Sequence, residues 1–138
     1  MQLDGLSSKI PEMFASLAGI ESIVLQQGSM TGSIPTAILE MPRIKQIDFD
    51  MNEMSGTIPV VNNTSLERLD INFNNFTGGV DFLESFPNLV YAQLDNNQFT
   101  GTIPESLGTL THLSKLHCKY ILFALSTPTS NHPPNICM

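Results

Sequence analysis

One dipeptide constrains the fold of this chain more than any other feature. Ile-Pro stands at Ile10-Pro11, Ile34-Pro35, Ile58-Pro59 and Ile103-Pro104, and Val80-Asp81 fills the gap as a worn copy. The spacings are 24, 24, 22 and 23 residues. Two residues before each anchor stand Ser8, Gly32, Gly56, Gly78 and Gly101; four before stand Leu6, Met30, Met54, Phe76 and Phe99. Six before stand Asp4, Gly28, Asn52, Asn74 and Asn97. Agreement at three positions in five copies is a repeat, and a period of this length signals an array of stacked units.

An apolar triad precedes each Asn position: Ile20-Ile23-Leu25, Ile44-Ile47-Phe49, Leu66-Leu69-Ile71 and Leu89-Ala92-Leu94. Its second and third members are separated by Val24, Asp48, Asp70 and Gln93 in turn, an x-apolar-x-apolar-x pattern of period two, so each unit contains a short strand with one face buried. Units that recur in one direction stack these strands as a parallel sheet. Asn52, Asn74 and Asn97 fall where the chain turns, and inward amides there form a structural ladder that satisfies turn backbone groups. The following Gly permits a tight bend or a positive φ. Pro then fixes φ and starts a short helical return, which Leu107 and Leu110, or Ile38 and Met41, pack against the strands.

The best-formed unit reads N-x-F-x-G-x-I-P-x-x-L-x-x-L from Asn97 to Leu110. Over roughly residues 3 to 118 the pattern resembles the leucine-rich repeat family, and more closely its plant-type subclass. That resemblance implies an α/β repeat solenoid, with parallel strands on the concave face and short helical or 3₁₀ returns on the convex face. The units expected are 1–19 (partial), 20–43, 44–65, 66–88 and 89–112, with 113–118 the start of a degenerate one and 119–138 a degenerate tail. Three departures stand out. Gly28 replaces a ladder Asn, the unit from Ile58 to Leu66 is two residues short and needs a tighter return, and Val80-Asp81-Phe82 lacks Pro. The triad Leu113-Leu116-Cys118 begins a unit whose Asn position is Ile121. Both ends make poor caps for an array, which suggests a piece of a longer array or an isoform that ends early.

The formal net charge is −7, with only six basic residues, scattered along the chain. This argues against nucleic acid as a partner. No apolar run is long enough to span a bilayer as a helix, and Met1-Gln2-Leu3-Asp4 does not read as a signal peptide. His112, His117 and His132 have no metal-ligand spacing with the cysteines, and no nucleophile elbow or phosphate loop is present. No catalytic residue, metal or cofactor is therefore expected.

The side chains between the buried strand positions are the candidates for binding. They include Asp48, Asp50, Asp70, Asn72, Tyr91, Gln93 and Asp95 on the concave face. The carboxylates are expected to form one contiguous negative surface favouring a cationic protein or peptide ligand, with Tyr91 and Phe73 as aromatic anchors. An open sheet gives no reason for shifted carboxylate pKa values. Asn62, Asn63 and Asn75 fit the N-glycosylation acceptor pattern, the first two on an accessible convex return. Cys118 and Cys137 can pair, stapling the tail over the last strand, or Cys118 can be a plain core residue. The resemblance implies a recognition module of a receptor-like or secreted protein, extracellular or at the cell surface. Its rivals are an inhibitor of a secreted cell-wall hydrolase and a truncated structural product without a ligand.

Overall fold

The computed structural model describes residues 9–119 and 122–123. Among the described residues, ten short strands alternate between two parallel sheets. In chain order they are β1 (Ser22–Val24), β2 (Thr31–Gly32), β3 (Gln46–Asp48), β4 (Glu53–Gly56), β5 (Arg68–Asp70), β6 (Asn75–Gly78), β7 (Tyr91–Gln93), β8 (Gln98–Gly101), β9 (Lys115–His117) and β10 (Leu122–Phe123). One sheet has the order β1-β3-β5-β7-β9 and the other β10-β8-β6-β4-β2. Each unit therefore gives one strand to each sheet, and the solenoid is that pair repeated.

The first sheet is the one read from the triads. Its register aligns Ile23, Ile47, Leu69, Ala92 and Leu116 as neighbours, so the repeats stack without slip. All five point inward and are buried. The second sheet is absent from the sequence reading. Its signal is nevertheless present, because Gln98-Phe99-Thr100-Gly101 and its counterparts place one buried apolar residue between exposed neighbours. Equivalent residues in this sheet are offset by two from strand to strand, Ser55 pairing with Asn75 and Thr77 with Gln98. The sheet also runs on to Leu122–Phe123, past the end of the array expected at residue 118.

The convex returns vary with local sequence. Pro35 precedes a single α-helical turn, Thr36–Leu39, and Pro11 and Pro104 precede 3₁₀ turns at Glu12–Ser16 and Glu105–Thr109. Without Pro, Asp81–Ser85 still forms a 3₁₀ turn, because Val80 occupies the buried Ile position and anchors it. The short unit forms no helical turn at all; its return is irregular and stitched by side chains. Asn63 Nδ2 donates to the carbonyls of Leu39 at 2.7 Å and Met41 at 3.1 Å, and its oxygen accepts from the N–H groups of Ser65 and Leu66. The hydroxyl of Ser85 accepts from Val61 N–H.

Between the layers lies one apolar core, rich in Phe49, Phe76, Phe82, Phe86 and Phe99. Phe99 stacks on Phe76 at 6.4 Å and meets Phe82 at 5.7 Å. Ile38, Met41, Leu107 and Leu110 close it from the convex side, as expected. The ladder is also as expected. Asn74 Nδ2 donates to the carbonyls of Phe49, Ile71 and Asn72, and its oxygen accepts from Met54 N–H at 3.0 Å. Asn52 and Asn97 repeat this pattern one unit away on either side. Each amide thus binds its own turn and the turn before it. Gly28 has no side chain to continue the series, and a Cβ there would meet Asn52 Oδ1 at 2.9 Å.

Candidate functional site

The sheet register brings the sequence-derived candidates together as columns. Asp48 stands beside Asp70, Asp70 beside Gln93, and Gln93 beside His117. The adjacent column runs Ser22, Gln46, Arg68, Tyr91 and Lys115. Just beyond the strands lie Asp50, Asn72 and Asp95.

These side chains form a hydrogen-bonded network rather than a freely solvated stripe. Gln26 Nε2 donates to Asp48 Oδ2 at 2.8 Å. With the Asn72 amide turned so that its nitrogen faces the carboxylates, the orientation its neighbours satisfy, that nitrogen donates to Asp70 Oδ1 at 3.3 Å and to Asp50 Oδ1, and its oxygen accepts from Gln93 Nε2 at 2.9 Å. Gln93 Oε1 in turn accepts from the Tyr91 hydroxyl. The Arg68 guanidinium lies 4.4 Å from the centre of the Tyr91 ring. On the other side, the His117 imidazole is 5.8 Å from that ring, and its Nδ1 is 4.0 Å from Asp95 Oδ2.

This packing corrects two expectations. Asp48 and Asp70 are not spread on an open surface: each is only 8% exposed, and Asn72 is 9% exposed. Asp50 and Asp95 are more accessible. Second, carboxylate pKa values are shifted. Burial, reinforced by the charges of Asp48 and Asp50, pushes Asp70 up to about 6 against the pull of the Asn72 backbone N–H and Arg68. Asp50 is raised as well, by burial and by Asp48. The cause lies in the neighbouring repeats, which stack carboxylates on carboxylates with one guanidinium nearby. An approaching cation would relieve that repulsion, so the chemistry of the face favours positive charge.

The other candidates divide. Asn62 and Asn75 are exposed. Asn63 is not the accessible acceptor expected: it is 4% exposed, and both ends of its amide are bonded to backbone. A return shortened by two residues recruits it as a brace. Cys118 is buried and disulfide-bonded, while Cys137 and His132 lie outside the described residues. Among the described residues no His, Cys, Asp and Glu group has the geometry to hold a metal, and no helix is long and apolar enough to cross a membrane.

The sequence reading named Phe73 as an aromatic anchor but missed the column it belongs to, at the edge of this face. Gln27, Met51, Phe73 and Asn96, each just before the ladder position, have φ between 48° and 55°. Met51 is 43% exposed and Phe73 47%.

Comparison with known proteins agrees with the architecture. The family model described as Leucine Rich Repeat matches residues 65–89 and 88–110. Receptor-like protein 41 of Arabidopsis thaliana is 30% identical over an alignment of 115 residues that covers 80% of this chain and 13% of that protein. The chain thus spans a small part of its curated relatives. Among solved structures, the ectodomain of the Arabidopsis receptor kinase HAESA, in complex with an N-terminally extended IDA peptide hormone ligand, matches with a TM-score of 0.81. Identity is 27%, covering 91% of this chain and 22% of that one. The plant peptide hormone receptor RGFR1, in complex with RGF2, matches with a TM-score of 0.79 and 27% identity, over 88% of this chain and 20% of that one.

Proposed function

The chain belongs to the plant-type leucine-rich repeat family, and from that premise we propose that it is a non-catalytic recognition module. Its working surface is the concave sheet, and its ligand is a protein or peptide segment carrying Lys or Arg. The observation that supports this most is the in-register stacking of Asp48 beside Asp70, with Asp50 and Asn72 bonded alongside. Asp50 and Asp95 would meet the ligand's cations first. Tyr91, held by Gln93 and capped by Arg68, offers a rigid aromatic surface with little entropy left to lose. The peptide-bound receptors named above support a peptide as ligand. The receptor-like relatives support an extracellular or cell-surface setting, in which Asn62 and Asn75 are glycan acceptors.

Binding of a fluorescent peptide rich in Lys and Arg tests the reading. Changing Asp48, Asp50, Asp70 and Asp95 together to Asn should weaken binding about tenfold or more and flatten its salt dependence. Undiminished binding by that variant would remove the concave carboxylates from the function.

A further inference from the structure

The column Gln27, Met51, Phe73 and Asn96 is a controlled comparison within one molecule. The four described units have the same left-handed backbone there, with φ of 53°, 53°, 48° and 55°. The conformation comes from the turn itself. Gly28 N–H donates to Met51 O, Asn52 N–H to Phe73 O, and Asn74 N–H to Asn96 O, so the peptide after each of these residues is fixed against a neighbouring unit. Asn tolerates this conformation because its short polar side chain bonds locally; long apolar side chains are rare in it and strained. Asn96 is therefore the inexpensive choice, and Met51 and Phe73 are the costly ones. Neither is repaid by burial, since both remain more than two-fifths exposed. Two adjacent repeats thus accept backbone strain and exposed apolar surface at once. Strain of this kind marks functional positions when packing does not explain it.

The surroundings indicate what the pair would meet. Asp50 immediately precedes Met51, Asn72 precedes Phe73, and Phe73 N–H donates to Asp95 O. The apolar pair thus lies next to Asp50 along the chain and is paired through the backbone with Asp95, two of the acidic residues of the concave face. Building on the concave-face reading above, we infer that Met51 and Phe73 form an apolar rim that seats a hydrophobic side chain of the ligand, next to the basic residues that the carboxylates attract. The occupant is a peptide segment in which an apolar residue adjoins Lys or Arg. The rim supplies selectivity that charge alone lacks, because a purely basic segment leaves it wet.

Two synthetic peptides of equal length and equal Lys and Arg content serve as probes, one with a central Leu-Phe pair and one with Ser-Ser. Fluorescence anisotropy should show the protein binding the Leu-Phe peptide about tenfold more tightly. The double variant Met51→Asn, Phe73→Asn should bind both equally and melt at a higher temperature, since Asn suits the backbone. A preference that survives in the variant overturns the rim, and so does a lower melting temperature, which would make both residues packing elements. Equal, salt-sensitive binding of both peptides by the unaltered protein refutes the rim alone. Binding of neither peptide sinks the concave-face reading, and the rim with it.

Discussion

Two columns of polar side chains cross the same repeats only a few residues apart. Asn52, Asn74 and Asn97 form one; Asp48 and Asp70 belong to the other, and all five are 7–8% exposed. In the first, every amide hydrogen faces a carbonyl and every amide oxygen faces an N–H. In the second, carboxylates face carboxylates, and the amides of Gln26 and Asn72 relieve them only in part. Equal burial therefore has opposite consequences. The Asn column holds turns together, while the Asp column stores repulsion that a bound cation can release. What separates scaffold from proposed binding surface here is donor–acceptor match, since polarity and depth are the same.

Exchanging the two chemistries is the sharpest way to break the comparison. Asn74→Asp turns donors into an anion facing three carbonyls. It should cost about 4 kcal/mol or more near neutral pH, with partial recovery in acid as the new carboxyl protonates; urea unfolding at two pH values would read this. Asn63→Ala removes the brace of the shortened return and should cost roughly 2–3 kcal/mol in the same assay. The reverse exchange, Asp70→Asn, should stabilise the protein by about 1–2 kcal/mol at pH 7.5. The folded state holds the Asp70 proton more tightly than the unfolded chain does. Stability from this group therefore falls as pH rises from about 4, its unperturbed range, through about 6. The gain from Asp70→Asn should vanish near pH 4, and a gain that persists there would contradict the assigned cause. Smallest of all, Gly28→Ala places a Cβ against Asn52 Oδ1 and should lower stability by about 1 kcal/mol, measured as a drop in melting temperature.

The Asn column was legible in the sequence because it repeats: Asn52, Asn74 and Asn97 keep one offset from their anchors, and each copy reinforces the others. The concave columns were legible for the same reason. Asn63 was not, because it occurs once, in the one unit that lost two residues, and looked like an ordinary acceptor motif. Nor was the raised pKa of Asp70, which depends on what the next strand stacks against it. The second sheet was hidden by brevity, since two to four residues of alternation are hard to tell from a turn. Met51 and Phe73 went unpaired in the reading because their peculiarity lies in φ, which apolar patterning does not record. Sequence periodicity reveals what every repeat shares; what one repeat does alone has to be seen in three dimensions.

The missing amide at Gly28 has a mechanical consequence. Inter-strand hydrogen bonds in such a stack run along the long axis, so tension applied to its ends loads the junctions between units in series. Asn52, Asn74 and Asn97 each clamp one junction by gripping carbonyls of the unit before. Gly28 adds no such clamp to the unit before it, where, among the described residues, Ile10 and Phe14 pack against the core. Pulled like a chain of links, the junctions clamped by Asn52, Asn74 and Asn97 should be the last to part.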